Sequence, residues 1–328
     1  MNNMKNSLLF IILIISIPLL MLCNIVTGSR DFGSDLWETV VMKIRLPQAM
    51  TAMTCGAGLS VAGLQMQTIF RNPLAGPSVL GVSSAASLGV AIVLLLSGAI
   101  GGISLSRFGV IGNTAVTISA IAGAMSVMML IVWLSKRVTG NATLLITGEM
   151  IGYIATAIIG VLKAYSTEED IHAYVIWGLG SFSRVSGGQV NVFICITAVI
   201  LPLCMLLAKP MNMMLLGELN ALGLGLNVKR TRMLTITMAG TLTAVVTAYC
   251  GPIMFIGLAV PHIARGIFKT SDHRILLPAT MLCGMALALV CNLVSKLPGA
   301  NGVIPINSVT ALIGAPVALY VLLKRKNR

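Results

Sequence analysis

Three polar side chains stand inside long apolar runs: Gln65, Gln67 and Glu149. An amide or carboxylate in hydrocarbon is costly unless it finds a partner or faces water, so each is a candidate for lining a path through a membrane. No catalytic set accompanies them. His172, His262 and His273 are scattered, and the seven cysteines contain no CxxC pair. The histidines are expected at surfaces or helix ends and the cysteines as small buried hydrophobes, without a disulfide, metal or haem site. The twenty methionines fit adaptable helix packing better than soft-metal ligation. The phosphate-loop pattern GxxxxGK(S/T) is absent, so the chain does not hydrolyse ATP by that route.

A second set of residues lies in the longest basic interruption of the apolar pattern, at residues 217–232, GELNALGLGLNVKRTR. Glu218 opens a short helix-like stretch, Gly223 and Gly225 break it, and a second short piece ends in Lys229, Arg230 and Arg232. The expected shape is two brief helices joined by a glycine elbow. Leu219, Leu222, Leu224 and Leu226 make an ordinary solvated loop a poor explanation, because four leucines in water serve a docking surface instead.

These residues must be positioned by membrane helices. The 328-residue chain is 57% hydrophobic and 9% charged, against about 25% charged for soluble domains. Ten apolar spans are expected near residues 8–27, 47–69, 79–98, 108–134, 144–163, 190–208, 233–250, 253–268, 275–295 and 306–323, giving an all-α polytopic fold. The first is expected to stay as an uncleaved helix. With the N-terminus inside, seven of the 22 Lys and Arg lie outside, namely Arg30, Lys43, Arg45, Arg107, Lys163, Arg184 and Lys296. Fifteen remain inside, which places both termini in the cytoplasm. The net charge of +13 therefore reflects topology, and sparse aromatics not interleaved with the basic residues argue against nucleic acid.

Residues 45–89 organise the rest. Ala52, Gly56, Ser60 and Gly63 are spaced along one helical face, where small side chains admit a close neighbour. The Pro-rich link at residues 71–77 then ends that helix. Whether Gln65 and Gln67 face a cargo or a neighbouring helix stays open. Glu149 is equally compatible with a pathway position and with a carboxylate near the inner surface bonded to another helix.

Four stretches, in order across nearly the whole chain, resemble one family: RLPQAM…AGLQMQTIFRNPLAGPSVLGVSSAASLG, GELNALGLGLNVKRTR, GPIMFIGLAVPHIARGI with DHRILLPAT, and INSVTALIGAPVALYVLLKR. The family is the FecCD/BtuC-like permeases of type II ATP-binding-cassette (ABC) importers for ferric siderophores, haem and vitamin B12. The resemblance implies a single transmembrane permease domain, residues 1–328, of the bacterial cytoplasmic membrane. It implies pairing with a second copy, two ATPase subunits below and an extracytoplasmic substrate-binding protein above. ATP and Mg would belong to the ATPase, with no cofactor on this chain.

Residue by residue, the coupling segment on the ATPase would include Glu218, Leu219, Leu222, Gly223, Leu224, Gly225, Leu226 and Arg230. Arg45 and Lys296 match basic positions that dock the binding protein, while a third such position holds Gln48 here. Asn72 and Leu74 match one side of the family's inner gate, and Asn141 and Ala142 the other. Glu149 departs from the family, which carries small or apolar residues there. The rival class is an ion-coupled secondary transporter, which needs buried ionisable residues for coupling; Glu149 is the strong candidate for one. A membrane enzyme would need a catalytic cluster that the sequence lacks.

Overall fold

A helix in lipid satisfies its backbone hydrogen bonds within itself, and each expected span of this chain falls largely within a helix. The computed structural model describes residues 2–27, 37–101, 109–137, 141–185, 187–297 and 302–326, and no β-strand occurs among them. The helices are α1 (Asn2–Val26), α2 (Trp37–Val40), α3 (Leu46–Phe70), α4 (Val82–Gly101), α5 (Gly109–Arg137), α6 (Asn141–Ala164) and α7 (Glu168–Gly178). They continue as α8 (Gly188–Leu206), α9 (Ala208–Leu215), α10 (Glu218–Gly223), α11 (Val228–Cys250), α12 (Ile256–Phe268), α13 (His273–Ser295) and α14 (Ile306–Lys326). Among the described residues, six stretches are long and apolar enough to cross a membrane, within α1, α5, α6, α8, α11 and α13. Shorter apolar stretches lie in α4, α12 and α14.

α3 is not among these stretches, yet it is the centre of the bundle. Every residue from 54 to 70 is buried. A helix enclosed by other helices has no need of a lipid-facing apolar surface, and small residues bring its neighbours close. Gly56 meets Gly284 of α13 so closely that a methyl on either would overlap the other's carbonyl. Ser60 adjoins the same Gly284, and Gly63 packs on the carbonyl of Gly257 in α12. Pro261 explains that last contact. It has no N–H for the carbonyl four residues earlier, which is Gly257's. The freed carbonyl faces the Gly63 backbone, where a Cα–H can approach it.

α3 stops where the proline link was expected to stop it. Arg71 takes a left-handed conformation, φ 48°. A 3₁₀ turn at Pro77–Leu80 and Gly81, φ 72°, then lead into α4. The coupling stretch differs from its expected shape. α10 is a separate short helix, but no second brief helix follows. Asn227 caps α11 by accepting a hydrogen bond from the Arg230 N–H at 3.0 Å. Lys229, Arg230 and Arg232 thus lie at the start of the 23-residue α11, since nothing breaks the helix beyond that cap.

Candidate coupling, gate and docking sites

At one end of the bundle, α10 is presented between two glycine turns, Gly217 at φ 112° and Gly225 at φ 82°. Ala221 is its buried anchor, while Leu219, Leu222 and Leu224 are 85%, 54% and 59% exposed. Leu226 packs instead against the core. The side chain of Arg232, 7% exposed, is ion-paired with that of Glu218, which ties α10 onto α11. Lys229 and Arg230 are exposed beside it. Three exposed leucines flanked by cations on a short anchored helix form a surface fitted for a partner.

The proline link lies beside this surface. The Asn72 side chain accepts a hydrogen bond from the Leu74 N–H at 3.0 Å, and the Ala75 N–H donates to the Asn72 carbonyl at 3.0 Å. Residues 72–75 are therefore a locked Asx turn. Arg71 donates to the Met214 carbonyl of α9 at 2.9 Å. The His262 ring lies 2.8 Å from the Pro73 carbonyl. Asn212 of α9 accepts from the His273 N–H at 2.8 Å and donates to Asp272 at 2.6 Å. The His273 ring bridges Asn212 Oδ1, 2.7 Å away, and Thr68 Oγ1 of α3, 2.8 Å away. Asp272 caps α13, and the Arg274 N–H and Asn212 amide that it accepts hold its carboxyl below the usual range.

This network escaped the sequence reading because its members are far apart in the chain. His262 is neither at the surface nor at a helix end, and His273, although at a helix start, is fully buried. The one local signal was Asp272 as an N-cap before an apolar run. Asn141 and Ala142, the other expected gate positions, open α6, but their side chains lie outside the described residues.

At the opposite end, Arg45, Gln48 and Lys296 line one cavity of about 450 Å³, with Phe182 and Ile306 on other walls. Arg45 is buried and donates to the Ile25 and Val26 carbonyls at 2.9 and 3.1 Å. Lys296 donates to the Asn24 carbonyl at 3.1 Å. Both cations therefore cap the unpaired carbonyls at the C-terminus of α1, where the helix dipole favours positive charge. Burial, and the nearby Arg45 charge, lower the Lys296 pKa to about 8. Gln48 donates to Asn292 at 3.0 Å, which donates to Asn24 at 2.8 Å, so α3, α13 and α1 share a buried amide chain.

The chain's relatives bear on what these two ends do. Residues 7–324 match the FecCD transport family. The vitamin B12 import system permease protein BtuC of Escherichia coli O6:H1 (strain CFT073) is 35% identical over 294 residues, covering 90% of this chain and 86% of that protein. BtuC of Shigella boydii serotype 18 is 34% identical over 296 residues, covering 90% and 87%. The chain belongs to the FecCD transport family. A solved structure of a metal-chelate-type ABC transporter in an inward-facing conformation superposes with a TM-score of 0.82 at 28% identity, covering 98% of this chain and 99% of that one.

Within this FecCD-family chain the three polar residues in apolar runs have separate surroundings. Gln67 is buried, accepts from Arg265 at 2.7 Å and donates to the Leu258 carbonyl at 3.1 Å, so it ties α3 to α12. Gln65 is fully buried on α3, with the Cys204 thiol of α8 beside it. Glu149 is exposed on α6.

Proposed function

We propose that this chain is the transmembrane permease subunit of an ABC importer that moves an iron chelate (a ferric siderophore or haem) or vitamin B12 inward. The observation that carries the reading is α10: a short, anchored helix with three exposed leucines, in a chain of the FecCD family. Two copies form one central pathway in the bacterial cytoplasmic membrane, each a single permease domain of ten spans with both termini inside. ATPase subunits carrying ATP and Mg dock on α10 and on Arg230. The chain itself binds no cofactor and catalyses no reaction. A binding protein docks at the opposite end, where Arg45 and Lys296 orient it.

Residues 72–75 and the start of α6 close the inner end of the pathway. The hydrogen bonds from α9 to Arg71 and His273 give ATPase movements a route into that gate. The test is reconstitution in vesicles with the ATPase and binding protein of the same bacterium. Cyanocobalamin, haem and a ferric siderophore are offered separately. One of them accumulates only when ATP and the binding protein are both present. Failure of any ATPase to co-purify, or uptake that follows a proton gradient without ATP, overturns the reading.

A further inference from the structure

The exposed side of α6 is divided lengthwise. Met150, Ile154, Ile158 and Val161 form an apolar strip, 42–61% exposed. Beside it, at spacings of four, three and four, run Glu149, Tyr153, Thr156 and Gly160, all exposed. The two strips lie roughly a third of a turn apart at about 100° per residue. Only the first is suited to hydrocarbon. Glu149 has no hydrogen bond or ion pair among the described residues, so nothing within the chain offsets its charge. It lies eight residues into α6, about 12 Å along the axis, well inside the depth at which lipid penalises a carboxylate.

A second contact fixes its level. Gly148, the preceding residue, packs against the backbone of Val79 and Leu80, in the 3₁₀ turn that follows the proline link. A methyl at Gly148 would overlap the Val79 carbonyl. Glu149 is thus held at the height of residues 79–80, where the chain that begins with the proline link enters α4.

We infer that Glu149 is a specificity-determining residue, whose carboxylate faces the water-filled passage just above the inner gate and favours neutral or cationic chelates over polyanionic ones. This rests on the proposed permease reading, in which a second copy supplies an equivalent carboxylate across the passage. Two like charges in a narrow, poorly screened conduit raise the local concentration of cations and depress that of anions.

The test uses the permease assembled with its ATPase and binding protein in vesicles. Thr156→Cys, two steps along the polar strip from Glu149, is exposed to a cationic trimethylammonium methanethiosulfonate and to its anionic sulfonate analogue. Modification is read by peptide mass, so that the seven native cysteines do not enter. The expected result is modification of position 156 with the cation preferred, and a preference about threefold or more smaller when Glu149→Gln is added. Ile154→Cys on the apolar strip stays unmodified by both reagents. An unreactive position 156, or a preference indifferent to Glu149→Gln, overturns the inference. ATP hydrolysis stimulated by the binding protein is measured on the same vesicles. If the parent complex hydrolyses ATP while the preference is flat, only the role of Glu149 falls; if the parent complex cannot hydrolyse ATP, the permease reading falls with it.

Discussion

Arg45 and Lys296 both cap the C-terminus of α1. Both were legible as basic residues near span boundaries, but their partners, the last carbonyls of α1, are 19 to 272 residues away in sequence. Lys296 carries a testable cost. Its folded pKa, about 8, lies below the ordinary 10.5, so between those values the unfolded chain holds more protons than the folded one. Stability then rises with pH across that window and is lower below it. Melting of the purified permease should therefore shift upward from pH 8 to 10, and Lys296→Gln should flatten that rise. Glu218 offers the opposite case. Its loss leaves the buried Arg232 guanidinium without its carboxylate. Glu218→Ala should cost on the order of 1–3 kcal/mol, read as a lower melting temperature, and Arg232→Met in the same chain should restore part of it.

At the scale of the helix, the small-residue face of α3 was readable because its spacing is a property of the helix itself. What it packs on was not, since Gly257 and Gly284 are far along the chain and the Gly257 carbonyl is free only because of Pro261. That contact predicts a severe effect from a mild change. Gly63→Val places two methyls where α12's backbone already lies. Overpacking of this kind costs typically about 1–3 kcal/mol. The expected outcome is a lower melting temperature, with Gly160→Val, in open space, leaving it unchanged. For residues 217–232 the leucine pattern was legible, while the start of α11 at their second half depended on a single side-chain cap at Asn227. Leu222→Glu should leave the permease folded, because that side chain is more than half exposed, yet weaken co-purification of the ATPase by about tenfold or more, as loss of an interface anchor does.

For the whole molecule, the described contacts tie α9 to the end of α3 and the start of α13. α9 lies between α10 and the proline link at residues 71–77, and its polar side chain Asn212 makes three hydrogen bonds, two to His273 and one to Asp272. His273 in turn reaches Thr68 on α3, and Arg71 at the end of α3 returns to the α9 backbone. α3, α9 and α13 are therefore closed into a ring beside residues 72–75. A ring of hydrogen bonds moves as a unit, whereas apolar side chains alone can slide past one another. The composition of the chain could indicate a transport protein, but not this closure, which needs residues near positions 70, 212 and 273 to meet. Asn212→Ala removes all three bonds of that side chain, each worth about 0.5–1.5 kcal/mol net. If the ring carries motion from α10 to the gate, uptake by the reconstituted complex should fall more steeply than ATP hydrolysis, about tenfold against less than threefold. Melting of the variant separates this from simple unfolding: a complex that still melts cooperatively but hydrolyses ATP without importing cargo is uncoupled. Equal losses of uptake and hydrolysis would instead assign Asn212 to the stability of the fold, leaving α10's motion to reach the gate through Arg71 alone.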